Sequence, residues 1–166
     1  MITLFLGGAR SGKSQAAEAR AARLGRPVTY LATGQASDPE MAARVVAHQQ
    51  RRPPQWTTIE VADSHPTALP AALRRVQGAV VLDALGTWLA RADGFEVDAD
   101  ELCRALCERS GDTMVVSDEV GLGVHPSTEL GRSFRDALGD LNQRVAAVAD
   151  EVVLVIAGRL LVLDRP

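Results

Sequence analysis

Residues 2–19 have the sequence ITLFLGGARSGKSQAAEA, in which an apolar run is followed by a glycine-rich turn and then by a helical pattern. The turn, Gly7–Ser14, matches the spacing G-x-x-x-x-G-K-[ST]. A loop that wraps around a phosphate must point several backbone N–H groups inward, and glycine tolerates the dihedral angles that this requires. The helix that follows directs the positive end of its dipole at the same phosphate. This stretch therefore predicts a strand, a phosphate-binding loop (P-loop) and a helix that together bind a nucleoside triphosphate.

Two side chains of the loop and one acidic residue elsewhere are expected to bind the phosphates and Mg²⁺. Lys13 is predicted to reach the terminal phosphates, and the hydroxyl of Ser14 to ligate Mg²⁺. A P-loop also needs a carboxylate at the end of a neighbouring strand, which holds Mg²⁺ through water. Asp83 ends the apolar run AVVLD, whereas Asp118 and Glu119 follow the run TMVVS. Ligands of such sheets bind at the carboxyl ends of the strands. We favour Asp83 over Glu119, and an ordinary polar cap of the strand is the alternative for each.

Apolar runs of strand length alternate with helical patterns along the rest of the chain. Strands are predicted over 2–6, 27–32, 56–61, 79–83, 113–117, 151–158 and 160–163, and helices over 12–25, 38–52, 67–76, 84–92, 98–109 and 130–149. Continuously apolar strands separated by helices predict a parallel sheet that is covered on both faces. The length of 166 residues fits one such domain, residues 1–166.

The composition excludes several classes of protein. The apolar fraction of 46% is enough for a core, and the net charge of −3 gives no basic surplus for nucleic acid. No apolar run approaches the ~18 residues of a membrane span. The first apolar run lacks a charged leader and is too short for a secretory signal. We therefore expect a cytoplasmic protein that binds no nucleic acid and has no membrane span.

A histidine beside several arginines is the second chemical signal. In the segment 40–56, EMAARVVAHQQRRPPQW, Arg44 and His48 are four residues apart and share a face of the predicted helix. A neutral imidazole can attack the α-phosphorus of a nucleotide and expel pyrophosphate. The guanidinium groups of Arg44, Arg51 and Arg52 would stabilise the charge that develops. The same spacing also fits a solvated histidine on a polar helix face, so the spacing alone leaves both interpretations open.

Longer stretches of the chain resemble a known family. These stretches are GGARSGKS, YLAT, EMAARVVAHQQRRPPQWTTIE, SDEVGLGVHP and FRDALGDLNQRVAAVADEVVLVIAG. Together they resemble the bifunctional adenosylcobinamide kinase / adenosylcobinamide-phosphate guanylyltransferases of cobalamin biosynthesis, from residue 2 to about residue 158. Many proteins share the P-loop, whereas the DEVGLGVHP stretch and the FRDALGDLNQRVAAVADEV stretch are far more particular.

The resemblance implies a RecA-like P-loop fold, a three-layer sandwich whose sheet has one antiparallel edge strand. It implies GTP, ATP and Mg²⁺ as cofactors, a corrinoid substrate, and a homotrimer in which a neighbouring subunit helps to shape each site. His48 corresponds to the guanylylated histidine, and Ser14 and Asp83 to the magnesium site. Asp118 stands where the family pattern has asparagine, which leaves its role open. The implied nucleotide-binding positions are Gly7, Gly8, Ala9, Arg10, Ser11, Gly12, Lys13, Ser14, Ala32, Thr33, Gly34, Gln49, Gln50, Arg51, Arg52, Glu60 and Asp83.

The expected function is a pair of reactions in one nucleotide pocket, with Lys13 and His48 as the catalytic residues. The first transfers a γ-phosphoryl group to adenosylcobinamide, and the second transfers GMP through guanylyl-His48 to adenosylcobinamide phosphate. One alternative is a small-molecule kinase in which His48 is inert. The other is a non-catalytic nucleotide-binding regulator.

Overall fold

A seven-stranded sheet forms the centre of the computed structural model, which describes residues 1–34, 52–61, 65 and 67–165. The strands lie in the order β3-β2-β4-β5-β1-β6-β7. Neighbouring strands are parallel except for the last pair, β6 and β7, which is antiparallel. This arrangement confirms the predicted parallel sheet with one antiparallel edge strand. The strands are β1 (Ile2–Gly7), β2 (Val28–Ala32), β3 (Thr57–Glu60), β4 (Ala79–Asp83), β5 (Thr113–Asp118), β6 (Glu151–Ile156) and β7 (Arg159–Leu163).

Helices connect most of the strands. Within the described residues they are α1 (Lys13–Ala22), α2 (Ala68–Arg75), α3 (Leu85–Leu89), α4 (Ala99–Glu108) and α5 (Glu129–Val148). The helix predicted over 38–52 lies outside the described residues, apart from Arg52. Helix α3 ends at Leu89, before the predicted end at residue 92, because the chain turns there into the 3-10 segment Asp93–Phe95, in which Gly94 has a φ of 59°. None of the helices whose placement is described has the length and apolar character needed to cross a bilayer.

The pleat of β1 distributes its side chains between two cores. Phe5 lies on one face, where it packs in a cluster with Ala17 and Ala21 of α1. Leu4 and Leu6 lie on the opposite face, in a larger cluster that includes buried leucines of α2, α3, α4 and α5. Among the described helices, α1 therefore covers one face of the sheet and the others pack on the second face, which confirms the predicted three-layer sandwich.

The register of the strands brings the predicted site residues to one edge. Gly7, the last residue of β1, is paired with Asp118 of β5. Ala32 of β2 is paired with Asp83 on one side and with Glu60 on the other. Because these strands are parallel, their carboxyl ends share an edge of the sheet. The glycine-rich loop and the predicted acidic residues consequently lie along the same edge.

Candidate active site

The loop between β1 and α1 has the tight backbone that its sequence predicts. Arg10 and Gly12 have positive φ angles of 57° and 94°, and the N–H of Ser11 donates to the carbonyl of Gly8 at 3.2 Å. Helix α1 begins at Lys13, and its N-cap residue, Gly12, has no side chain with which to cap the first turn. The N–H groups of that turn therefore point out of the helix towards the loop. Ser11 Oγ is buried and has no hydrogen-bond partner within the described part of the chain. A phosphate oxygen seated in the loop would give this hydroxyl an acceptor.

The turn between β6 and β7 supports the loop from behind. The N–H of Gly158 donates to the carbonyl of Ser11 at 2.8 Å. A Cβ added to Gly12 would lie 3.4 Å from Gly158 Cα, so the two turns meet through backbone. A Cβ at Gly7 would come within 2.5 Å of Ser11 Oγ and within 2.7 Å of the carbonyl oxygen of Val155. The contact with β6 explains why residue 7 has no side chain.

Replacing Gly7 by alanine is expected to destabilise the protein by about 1–3 kcal/mol, because the added methyl group collides with main-chain atoms of β6. Thermal unfolding without ligand measures this effect. Gly8→Ala is the matched control, since a Cβ at Gly8 meets no atom of the described residues within 4 Å. Equal unfolding midpoints for the two variants would contradict the packing of the loop against β6.

Lys13 lies under the loop and is held by two groups. Its side chain is largely buried, and Nζ lies 3.2 Å from the carbonyl oxygen of Gly8 and 2.6 Å from Oδ1 of Asp118. Asp83, Asp118 and Glu119 were the acidic candidates from the sequence. In the described part of the structure, Asp118 is the one that contacts Lys13. The role of Asp118 was left open because it departs from the family pattern, and a contact between residues so distant in sequence leaves no local pattern that could have indicated it.

Asp118 is fixed by residues that the sequence analysis did not single out. Its carbonyl accepts a hydrogen bond from Asn142 Nδ2 at 3.0 Å, and Asn142 Oδ1 accepts from the hydroxyl of Ser117 at 2.6 Å. Its carboxylate occupies a gap beside Gly86 in α3, where an added Cβ would come within 2.6 Å of Oδ2. One signal for Asn142 was present in the sequence. It is the polar member of the stripe Leu138, Leu141, Asn142 and Val145, which has the spacing of a buried helix face.

Asp83 belongs to a second cluster at the same edge. Its Oδ2 accepts a hydrogen bond from the phenol of Tyr30. Burial and the neighbouring Asp83 carboxylate raise the pKa of Tyr30 above its ordinary range, so the phenol stays protonated and keeps donating. The guanidinium of Arg52 lies 3.3 Å from the centre of the Tyr30 ring, and its Nη1 donates to Thr58 Oγ1 at 3.1 Å. Tyr30, which the sequence analysis missed, thus connects two predicted nucleotide-site residues, Asp83 and Arg52.

Thr33 fixes the turn that follows Asp83. Its side chain is fully buried, and its hydroxyl donates to the carbonyl of Ala84 at 2.6 Å and accepts from the N–H of Ala84 at 2.9 Å. Its own N–H donates to the carbonyl of Asp83 at 3.0 Å. The hydroxyl of Thr33 therefore joins the end of β2 to the start of α3 and holds Asp83 at the edge of the sheet.

The other predicted site residues are exposed, half-buried or outside the part of the chain that the structure describes. Gly8, Ala9 and Arg10 are exposed in the loop, and Glu60 is exposed at the end of β3. Ser14, Ala32 and Gly34 are half-buried near the same edge. The predictions for His48, Gln49, Gln50 and Arg51 fall outside the described residues.

The oxygen groups at this edge suit Mg²⁺, which prefers hydroxyl, carboxylate and phosphate oxygens. Ser14 and Asp83 supply a hydroxyl and a carboxylate. Among the residues whose placement is described, no three His, Cys, Asp or Glu side chains converge as a metal cage. This donor set matches an ion that takes one or two protein ligands and completes its shell with substrate phosphate and water.

Comparison with known proteins gives one family for almost the whole chain. The family model "Cobinamide kinase / cobinamide phosphate guanyltransferase" matches residues 3–163. The chain is similar to the bifunctional adenosylcobalamin biosynthesis protein CobP of Pseudomonas aeruginosa, with 41% identity over 95% of this chain and 94% of the relative. It is similar also to the protein CobU of Salmonella typhimurium, with 38% identity over 95% of this chain and 97% of the relative.

A solved structure supports the fold. An ATPase from the type III secretion system of pathogenic bacteria superimposes with a TM-score of 0.53 at 8% identity. The superposition covers 92% of this chain and 50% of the ATPase, so the chain spans about half the length of that structure. At this identity the likeness concerns the fold alone.

Proposed function

Because the chain belongs to the cobinamide kinase / cobinamide phosphate guanyltransferase family, we propose that it phosphorylates adenosylcobinamide and then converts the product to adenosylcobinamide-GDP. The observation that carries the proposal is the P-loop geometry, with a buried Lys13 at the edge where Asp83 and Asp118 end their strands. Both reactions need a nucleoside triphosphate whose phosphates are held at that edge. The cytoplasm, where we expect nucleotides to be available to the enzyme, remains the predicted location.

In the kinase reaction the hydroxyl of adenosylcobinamide attacks the γ-phosphorus of ATP or GTP, and the bond to the β-phosphate oxygen breaks. The loop backbone and the first turn of α1 orient the phosphates, while the ammonium of Lys13 neutralises charge on the transferring group. Ser14 and Asp83 would hold Mg²⁺, which supplies further charge neutralisation at the phosphate oxygens when it is bound.

In the guanylyltransferase reaction an imidazole nitrogen of His48 attacks the α-phosphorus of GTP, and pyrophosphate leaves. An oxygen of adenosylcobinamide phosphate then attacks the same phosphorus, and the phosphorus–nitrogen bond breaks. Covalent catalysis thus divides one transfer into two displacements. Arg52 is the described residue nearest in sequence to His48, and it lies over the ring of Tyr30, whose phenol donates to Asp83 at the edge of the sheet.

Labelled GTP separates this proposal from its two alternatives. We expect the protein to become covalently labelled by α-labelled GTP with Mg²⁺, and to gain no label from γ-labelled GTP. The protein-bound label should be acid-labile, as a phosphoramidate is. A small-molecule kinase with an inert His48 would phosphorylate adenosylcobinamide without becoming labelled. A nucleotide-binding regulator would bind GTP and turn over no corrinoid.

The homotrimer implied by the resemblance has support in the exposed edge strand β7. Leu160, Leu161 and Val162 are 60%, 56% and 54% exposed, and Ile156 of β6 is exposed beside them. Edge strands of monomeric proteins are normally shielded by charge, by proline or by a covering segment. We infer that β7, with its apolar side chains on both faces, lies in the contact between subunits.

Leu161→Asp is expected to convert the trimer into monomers, because an aspartate in the middle of β7 places a charge in an apolar contact. Sedimentation velocity measures the mass of the assembly. Leu130→Asp is the matched control, since Leu130 is also exposed but lies in α5 and not in the sheet. If Leu161→Asp retains the wild-type mass, or if both variants dissociate, β7 is not the contact.

A further inference from the structure

The ion pair between Lys13 and Asp118 has a consequence for nucleotide binding. Lys13 must donate to phosphate oxygens in a working P-loop, yet its ammonium lies 2.6 Å from the carboxylate of Asp118. A Lys13 side chain only 11% exposed has little water to replace a lost partner. Of the three N–H donors of the Lys13 ammonium, one faces Gly8 and one faces Asp118, so only one is left for phosphate oxygens while both contacts persist.

Two hydrogen bonds hold the main chain around Asp118, and the absence of a side chain at Gly86 leaves space for its carboxylate. Gly86 leaves the space that Oδ2 occupies, since a Cβ at residue 86 would lie within 2.6 Å of that oxygen. Asn142, which is 6% exposed, donates to the carbonyl of Asp118 at 3.0 Å. The N–H of Glu119 donates to the carbonyl of Gly7 at 3.0 Å, so the end of β5 is tied to the start of the loop. The main chain of Asp118 is thus anchored beside the loop that carries Lys13.

We propose that Asp118 is a positioning residue that holds Lys13 in the nucleotide-free enzyme and, by competing for it, lowers the affinity of the loop for phosphates. The proposal rests on the nucleotide site of the proposed function. When the phosphates leave, Lys13 returns to Asp118, and this exchange assists the release of the nucleoside diphosphate and of pyrophosphate. An enzyme that binds a fresh nucleotide for each of two reactions gains from such release. Asparagine at this position would keep the shape but lose the competition.

Asp118→Asn tests the proposal, because it removes the negative charge and keeps the size. The bond from Asn142 goes to the main chain of residue 118 and remains available in the variant. The probe is N-methylanthraniloyl-GTP in EDTA, so that binding is measured without Mg²⁺. We expect the Kd of Asp118→Asn to be at least about fivefold lower than that of the wild type, since Lys13 no longer has to leave a carboxylate before it donates to the phosphates. The rate of probe dissociation should fall with it.

Glu119→Gln is the matched control. It removes the same charge from the next residue, whose carboxylate accepts a hydrogen bond from the N–H of Gly121 at 2.6 Å. We expect its Kd to stay within about twofold of the wild type. Unchanged or weaker binding by Asp118→Asn would overturn the proposal, and so would an equal tightening in both variants, which would indicate general repulsion. A wild-type protein that binds no probe would overturn the nucleotide site itself, and with it the proposed function.

The rise in unfolding temperature on adding GTP gives a second readout. A purely structural role of Asp118 would not change the size of this rise. Without nucleotide, Asp118→Asn should melt below the wild type, because Lys13 loses the partner of a largely buried charge. Saturating GTP should then raise its midpoint by more than it raises that of the wild type. An equal rise in the two proteins would overturn the competition between Asp118 and phosphate.

Discussion

Lys13→Ala is expected to slow both reactions by about 10²–10³-fold, the usual effect of removing one charge-stabilising donor from an active site. Lys13 is the first residue of α1, and its Nζ lies 3.2 Å from the carbonyl oxygen of Gly8 inside the loop. The kinase reaction transfers the γ-phosphoryl group, and the guanylyltransferase reaction expels the β- and γ-phosphates as pyrophosphate. Both reactions therefore depend on the same ammonium at the end of the triphosphate.

Initial rates of adenosylcobinamide phosphate formation and of GMP transfer to adenosylcobinamide phosphate measure the two effects separately. Arg23→Ala is the control, since Arg23 is an exposed cation directly after the last turn of α1, away from the loop. It should leave both rates near the wild-type values. A Lys13→Ala variant that loses one activity and keeps the other would show that the two reactions use different phosphate sites.

His48→Ala is expected to abolish covalent labelling by α-labelled GTP while retaining a substantial part of the kinase activity. The reason is chemical, since only the guanylyl transfer requires a nucleophile on the protein. The imidazole attacks in its neutral form, so labelling of the wild type should also decline as the pH falls through the titration range of histidine. Labelling that is flat from pH 8 to pH 5 would count against an imidazole nucleophile.

His65→Ala is a matched control for the histidine assignment, because His65 is exposed near the start of α2 and its Nδ1 lies 2.8 Å from Thr67 Oγ1. It should be labelled like the wild type. Persistent labelling of His48→Ala would show that another residue is the nucleophile. Loss of both activities in His48→Ala, with an unchanged unfolding temperature, would show that the histidine segment also serves the kinase reaction.

The sheet could be predicted because its strands are continuous apolar runs. The run AVVLD predicted a strand over 79–83, and β4 has these bounds. The P-loop was equally clear, since the dihedral angles, the lysine and the following helix are all local properties of Gly7–Ser14. The antiparallel edge strand was implied by the family resemblance; the strand predicted over 151–158 ends at Ile156, because the chain turns there into β7.

Contacts across the sheet could not be predicted in this way. Nothing near Lys13 in the sequence indicates that Asp118 lies 2.6 Å from it, because the pairing of β1 with β5 decides that contact. The roles of Gly86 and Tyr30 could not be predicted for the same reason. Gly86 leaves space for the carboxylate of Asp118, and Tyr30 donates to that of Asp83, and both contacts depend on how the elements pack. The sequence alone identified Asp83 and Asp118 as carboxylates at the edge of the sheet. The fold shows that Asp118 pairs with Lys13 and that Asp83 accepts from Tyr30.

One chain is expected to carry out both phosphoryl and guanylyl transfer on a corrinoid, and a double-label experiment measures the two transfers together. The enzyme is incubated with adenosylcobinamide, Mg²⁺, GTP labelled at the α-phosphorus with one isotope, and ATP and GTP labelled at the γ-phosphorus with another. We expect adenosylcobinamide-GDP with one phosphorus from each source, one α-derived and one γ-derived. A corrinoid product that contains only the γ-derived phosphorus, or no labelled corrinoid at all, would show that the chain does not carry out both transfers.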